Sequence, residues 1–345
     1  MTATPRNDIP TGRSALDAIG NTPLVELRNI VPPGSARVVV KLESANPTGS
    51  MKDRVAKAMI EAAASDGRLP PGGTVVEYTG GSTGSSLALI CAALGYKAHF
   101  VSSDAFSAEK LDTMRAFGAE LTIVRSESKK FNEPLFRAMI ATATELSRQP
   151  GHWFCDQLNN QDAAAGYYPL AEELWQQAGG QVDAFVHSVG TSHSLRGVSA
   201  GLRRKNRELH VTAVEPAESA VIAGGQKGSH RIEGIGIGFL PPLFDRTSVT
   251  DVDAVGSDEA NAMARRLARE EAIFGGTSSG GNVVAALRLA QRLGPGATVA
   301  TLIVDSGLRY LSTETFQRDL GEQYRPRHDS SGCLTSETTG TAAGS

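Results

Sequence analysis

The chain is short of aromatic residues, of cysteine and of excess charge, and each shortage excludes something. Its 345 residues include three cysteines, Cys91, Cys155 and Cys333. An odd number without paired or metal-ligand spacing argues against a disulfide framework and points to a reducing compartment, by default the cytoplasm. The formal net charge of −3 leaves no basic excess to neutralise a nucleic-acid backbone, so nucleic acid is not an expected partner. No apolar run reaches the roughly 20 residues that span a bilayer, so no membrane is expected either. The first thirteen residues, with Pro5, Arg6 and Arg13, lack the apolar segment of a secretion signal. The seven histidines are scattered without i, i+4 pairs or cysteine partners, so no metal site is expected. Aromatics make up 6% of the chain against 40% hydrophobic residues in all, enough aliphatic side chain to fill the core of one large or two ordinary domains.

What is present is alternation. Short β-branched or apolar runs occur at Val38–Val40, Thr74–Val76, Ala98–Val101, Leu121–Val124, Val182–Val186, Val211–Val214 and Thr298–Val304. Between them lie helical patterns at Val55–Ala64, Ser85–Leu94, Glu109–Phe117, Glu133–Ser147, Leu195–Lys205 and Asp258–Glu271, the last with Ser257 as candidate cap. Strands alternating with helices predict an α/β fold of mostly parallel sheets covered on both faces. No internal repeat is visible. Residues 329–345, small and polar, read as a disordered tail.

The chemistry concentrates at Asn46-Pro-Thr-Gly-Ser-Met-Lys-Asp-Arg54. Pro47 and Gly49 break what precedes, and the alanine-rich run from Val55 starts a helix, so Lys52 stands at a helix mouth. The positive end of the helix dipole and shelter from water both disfavour an ammonium, which lets such a lysine lose its proton and attack a carbonyl. A second feature is the strand running into Gly190-Thr-Ser-His-Ser194 and then a helix, a row of N–H donors fit for an anion. No Gly-Lys-Ser/Thr follows it, so it is not a nucleotide loop, and Arg196 is its neighbouring cation. Gly234-Ile-Gly-Ile-Gly238 is not a dinucleotide fingerprint, because Leu240-Pro-Pro-Leu243 blocks the helix that should follow. Thr79-Gly-Gly-Ser-Thr-Gly84 likewise joins a strand to a helix and gathers N–H groups and hydroxyls as anion donors. Ser278 and Ser279 lack a nucleophile elbow and read as lining residues, and Trp153 and Trp175 as packing.

These segments, with Ile19-Gly-Asn-Thr-Pro-Leu24, Glu233–Phe239, Gly276-Thr-Ser-Ser-Gly280 and Asp305–Ser312, resemble in order and spacing the cysteine synthase and cystathionine β-synthase family of pyridoxal-phosphate enzymes. The resemblance spans about residues 19 to 312 and implies the fold-type II architecture of two doubly wound domains. The smaller and mobile one covers residues 46–154, and the larger, cofactor-binding one covers 1–45 with 155–328. It also implies that Lys52 carries pyridoxal 5'-phosphate and is the catalytic base. Gly190, Thr191, Ser192, His193 and Ser194 would hold the phosphate, Ser306 the pyridine nitrogen, and Ser82 the ring hydroxyl. Thr79, Gly80, Gly81, Thr83, Gln157 and Gly234 would hold the amino-acid substrate. A serine at the pyridine nitrogen supplies no full charge, so the ring is a weaker electron sink and expulsion of a β-leaving group is favoured.

This chain departs from the family pattern in two loops. Relatives usually read Gly-Thr-Gly-Gly-Thr where Ser192 and His193 stand here, and Thr-Ser-Gly-Asn-Thr-Gly where Gly80 and Ser82 stand. The Thr-Thr-Gly that usually follows the glutamine is also missing after Gln157. The expected activity is cysteine synthase-like β-replacement on an activated serine such as O-acetylserine, with sulfide or another thiol as acceptor, in a homodimer. The alternatives are a cysteine desulfhydrase-type lyase, a cystathionine β-synthase-like condensation, and a weakly catalytic cofactor-binding regulator.

Overall fold

A computed structural model of the chain describes residues 14–127 and 132–317. The expected tail at 329–345 lies outside them. Ten strands are described: β1 (Leu24–Glu26), β2 (Arg37–Leu42), β3 (Thr74–Tyr78), β4 (Lys97–Ser103), β5 (Glu120–Val124), β6 (His152–Phe154), β7 (Ala184–Ser188), β8 (His210–Pro216), β9 (Asp251–Val255) and β10 (Thr298–Ile303). The α-helices are α1 (Lys52–Ser65), α2 (Ser82–Leu94), α3 (Ala108–Ala116), α4 (Glu133–Leu146), α5 (Tyr168–Gln177), α6 (His193–Arg203), α7 (Ser257–Glu270), α8 (Thr277–Leu293) and α9 (Glu314–Gln317).

The strands form two sheets, a six-stranded one in the order β1-β2-β10-β7-β8-β9 and a four-stranded one in the order β5-β4-β3-β6. Every pairing is parallel except β1 with β2. Parallel strands are covered on both faces, which is why all five residues of β3, all five of β7 and all six of β10 are buried. A single apolar cluster runs from one sheet to the other, joining Met59, Val75, Leu87 and Phe100 to Tyr167, Phe185, Leu195 and Leu202.

Three strands and three helices, among them the short α9, escape the sequence pattern. β1 and β6 are three residues long, and β9 carries Asp251 and Asp253 on an edge. α5 begins with Tyr168-Pro169, and α8 begins with Thr-Ser-Ser-Gly-Gly, poor helix formers that tertiary contact overrides. Gly280 lets α8 approach α7 so closely that a Cβ there would stand 2.0 Å from the Ala260 carbonyl oxygen. The expected cap of α7 is displaced by one residue. Gly256 occupies the cap, and Ser257 begins the helix, its hydroxyl accepting from the Arg231 N–H at 2.8 Å.

The sheet order decides where a site can form. β2, β10 and β7 are neighbours and parallel, so the loops leaving their carboxyl ends emerge side by side. The chain order is broken there, since β10 returns between β2 and β7, and such a break opens a crevice at the strand ends. Among the described residues no helix is long and apolar enough to cross a membrane.

Candidate active site

The Lys52 turn leaves β2, Ser306 follows β10, and the Gly190 loop follows β7. Gly49 turns at φ +74°, its carbonyl accepts the Ser306 N–H at 2.9 Å, and the Met51 N–H donates to the Val304 carbonyl at 2.9 Å. The lysine turn and the Ser306 loop are thereby stitched together. Asp53, buried on the first turn of α1, holds the turn from the other side by accepting from the Thr48 hydroxyl at 2.6 Å, the Thr48 N–H at 2.8 Å and the Ser86 hydroxyl at 2.6 Å. Behind it, Arg54 reaches Glu43 at 2.7 Å and Glu173 at 2.8 Å, and Lys41 reaches Glu173 at 2.8 Å, a buried ion network that pins α1 to β2.

Lys52 begins α1, as its spacing predicts. Burial of its ammonium lowers the pKa from 10.5 to about 8, against the opposing pull of the Asp305 carboxylate. At neutral pH a useful fraction is therefore free amine, which an exposed lysine would not provide.

The Gly190–Ser194 loop makes a left-handed turn at a residue that is not glycine. Ser192 sits at φ +75°, in the left-handed region, and caps α6 from there. Gly190 is required by space, because a Cβ on it would stand 2.4 Å from the Gly234 carbonyl oxygen. Gly234 itself turns at φ +84°, and the Gly236 N–H donates to the Val189 carbonyl at 3.1 Å, so the Gly234–Gly238 loop braces the anion loop. His193 and Ser194 are buried on the first turn of α6, Thr191 partly exposed before them. The His193 Nε2 stands 2.5 Å from the Gln157 carbonyl oxygen, while its Nδ1 is buried with no partner among the described residues. Burial lowers the His193 pKa to about 4, helped by the charges of Lys52 and Arg196 and resisted by the bond to Gln157.

The second loop leaves β3. The Thr79 hydroxyl accepts from the N–H groups of Gly81 and Gly84, both at 3.1 Å, so those two donors shape the turn and are not offered outward as the sequence suggests. Gly80 and Gly81 are needed for space, since a Cβ on either would strike Phe106 at 2.7 Å or Lys110 at 2.4 Å. The Thr83 hydroxyl donates to the Gln157 amide oxygen at 2.9 Å, and the Gln157 amide nitrogen donates to the Tyr78 carbonyl at 3.0 Å, which leaves one amide hydrogen free for a ligand. Buried Glu77 fixes Gln157 from behind by accepting its backbone N–H at 2.9 Å. Ser82 opens α2, its hydroxyl accepting from Arg309 at 3.2 Å.

Ser306 is partly exposed at the end of β10, and its hydroxyl accepts the Leu308 N–H at 3.3 Å. Beside it, buried Asp305 accepts from the Tyr310 hydroxyl at 2.7 Å. Lys110 of α3 forms an ion pair with Glu233, next to Gly234, and lies 5.5 Å from the centre of the Tyr310 ring, so a charge pair bridges the two sheets' loops over this region.

The site residues expected from the sequence thus fall on loops that touch. Ser306 adjoins the Lys52 turn, Gly190 adjoins Gly234, and His193, Thr83 and Gln157 form one bonded chain. Sequence reasoning missed His187, Arg309, Asp53, Glu77 and the Lys110–Glu233 pair. The only available signal was a polar group inside an apolar strand, as with Glu77 in Thr-Val-Val-Glu-Tyr78 and His187 in Ala-Phe-Val-His-Ser188. Ser279 is buried, its hydroxyl accepting the Val304 N–H at 2.9 Å, and Ser278 is buried beside it. Trp153 and Trp175 pack in or against the core. Cys91 and Cys155 are free and buried, and Cys333 lies outside the described residues. Among the described residues no cluster could hold a metal ion.

Comparison with known proteins agrees over nearly the whole chain. The family model for pyridoxal-phosphate dependent enzymes matches residues 15–305. A cysteine synthase of Staphylococcus aureus is 41% identical over 304 residues, 87% of this chain and 96% of its own length. Cysteine synthase 3 of Caenorhabditis elegans is 41% identical over 309 residues, 89% of this chain and 90% of its own. The crystal structure of cysteine synthase from Entamoeba histolytica superposes with a TM-score of 0.84 at 34% identity, covering 92% of this chain and 93% of that one.

Proposed function

The chain belongs to the pyridoxal-phosphate dependent enzymes, and on that premise we propose that it makes cysteine by β-replacement on O-acetylserine with sulfide. Relatives named cysteine synthase, similar over nine-tenths or more of their own length, support that activity above the lyase, condensation and regulatory alternatives. The observation that carries the reading is Lys52, with its pKa near 8, in a turn bonded directly to the Ser306 loop.

The residues fit the cofactor. The anion loop has no room for a Cβ at Gly190 and holds a non-glycine residue in a left-handed turn. These are features of a pocket shaped for a ligand rather than for self-packing. In this reading Gly190, Thr191, Ser192, His193 and Ser194 hold the phosphate, Ser306 accompanies the ring nitrogen, Ser82 the ring hydroxyl, and Lys52 carries the cofactor. When bound, the cofactor draws electron density from the substrate's α-carbon.

Thr83 and Gln157, with the turn formed by Thr79, Gly80 and Gly81, orient the amino-acid carboxylate, and Gly234 borders the substrate. Lys52 Nζ, released when the substrate's amino group takes its place and with a pKa near 8, takes the α-proton. The bond from the β-carbon to oxygen breaks and acetate departs with the electron pair. Hydrosulfide then forms the new carbon–sulfur bond, and Lys52 returns a proton to the α-carbon. The reading includes residues 46–154 moving as one unit against the remainder, with Lys110–Glu233 spanning the two, and a homodimer working in the cytoplasm.

A two-substrate comparison tests it. The purified protein should form cysteine from O-acetylserine and sulfide faster than it releases pyruvate and sulfide from cysteine alone. Faster pyruvate release would assign it to the lyases instead.

A further inference from the structure

Two histidines flank the anion loop, and the one outside it, His187, has an orientation that its neighbours settle. His187 is the fourth residue of β7 and fully buried. Its Nε2 lies 2.7 Å from the Ser194 hydroxyl oxygen, and its Nδ1 lies 3.3 Å from the side-chain nitrogen of Asn282 on α8. Its ring stacks on Phe185, with centroids 5.8 Å apart.

The hydrogen positions follow from Asn282. Its oxygen accepts the Ser188 N–H at 2.8 Å, so the other terminal atom is the NH2 group. One of that group's hydrogens goes to the Leu302 carbonyl at 3.1 Å, and the other faces His187 Nδ1. Nδ1 must therefore accept and carries no proton. The single proton of a neutral imidazole then sits on Nε2, which donates to Ser194. Burial first, and the Lys52 charge second, lower the His187 pKa to about 3, so the ring stays neutral across the working range. Among the described residues the Ser194 hydroxyl has no second partner. With its oxygen already accepting from His187, its own hydrogen remains to be given to something else, and it sits on the first turn of α6, where the anion loop presents its donors.

We propose that His187 is a positioning residue for the cofactor phosphate: the relay from Asn282 through His187 to Ser194 forces the Ser194 hydroxyl to act as a donor to the anion. A serine hydroxyl left to itself rotates among donor and acceptor roles, and a dianion wants donors only. The relay removes that choice. It also offers a reason for a histidine inside an otherwise apolar strand. The inference rests on Gly190–Ser194 being the phosphate site.

The test has two arms. In [15N]histidine-labelled holoenzyme, the His187 nitrogen shifts should report a neutral ring protonated at Nε2 and bare at Nδ1; the Nδ1–H tautomer or an imidazolium would overturn the proposal without any mutation. In the second arm, the dissociation constant of the full chain for pyridoxal phosphate is measured by equilibrium dialysis, with the 31P shift of the bound phosphate. His187→Leu, which leaves Ser194 its hydroxyl but frees it to rotate between donor and acceptor roles, should weaken binding several-fold. His187→Gln, whose amide can still donate to Ser194, should recover most of it. Ser194→Ala, which removes the donor itself, should cause at least that loss, and adding His187→Leu to it should change little further. Losses that multiply in the double variant would show that His187 acts through packing, which overturns the proposal. Parental affinity in His187→Leu with weakened Ser194→Ala would overturn the positioning role while leaving the phosphate site standing. Parental affinity in Ser194→Ala would instead overturn the phosphate site itself. Should His187→Leu fail to fold, the tautomer measurement and His187→Gln decide.

Discussion

The imidazole of His193 donates from Nε2 to the backbone carbonyl of Gln157 across 2.5 Å, tying the loop that would hold phosphate to the glutamine that would hold the substrate's carboxylate. Gln157 also accepts from Thr83 and is fixed behind by Glu77. Changing His193→Gly should therefore leave cofactor content near the parent's while loosening Gln157. Losing one hydrogen bond of on the order of 1 kcal/mol predicts a several-fold rise in KM for the amino-acid substrate, with a smaller change in kcat. Steady-state kinetics beside cofactor stoichiometry would check it. An unchanged KM would mean that the link between the two loops is without consequence.

Ser192 pays conformationally for a left-handed φ of +75°. That geometry costs a residue with a Cβ about 1–2 kcal/mol, partly offset because glycine frees the unfolded chain. Ser192→Gly should raise stability by up to about 1 kcal/mol, read as a higher urea midpoint at constant slope. Destabilisation would mean that the serine side chain supports the loop.

The helix that presents Lys52 depends on Arg54, which is buried between Glu43 and Glu173. Arg54→Ala leaves buried Glu43 without its guanidinium partner and should cost about 3–5 kcal/mol, measured by chemical unfolding. Burial works against ionisation of Glu173, but Arg54 and Lys41 outweigh it and hold the carboxyl down to about 2. A carboxyl depressed on folding contributes stability that is complete above its unfolded value of about 4.3 and lost as pH falls toward the folded one. The parent should therefore lose this contribution between pH about 4.3 and 2, and Arg54→Ala should show a flatter acid limb. Equal acid slopes in the two proteins would contradict it.

Much of this fold was legible because parallel strands and the helices between them carry their own pattern. Val38–Val40 falls within β2, Thr298–Val304 covers β10, and the helix expected at Glu133–Ser147 appears as Glu133–Leu146. α8 was not legible, since its opening Thr-Ser-Ser-Gly-Gly is helical only because Gly280 fits against α7. In the site, Lys52 could be read from its position at a helix start. His187 could not, because its role lies in a partner 95 residues away, Asn282, that no local pattern joins to it. The loop departures were visible as Ser82 and His193, but their partners, Arg309 and Gln157, required the fold.

The lowered pKa of Lys52 gives a pH signature. Below about 8 the group is mostly ammonium, and above it mostly free amine. Cofactor-free protein should accordingly capture pyridoxal phosphate at a rate that climbs through pH about 8 and then levels, followed by the growth of visible absorbance. A climb centred on the ordinary 10.5 would show that burial does not act on this amine.

Borohydride reduction locates the lysine that carries the cofactor. Reduction of the yellow purified protein, followed by digestion and peptide mass mapping, should place the pyridoxyl phosphate label on the peptide containing Lys52. Label on another lysine, or freshly expressed protein without cofactor, would contradict the account.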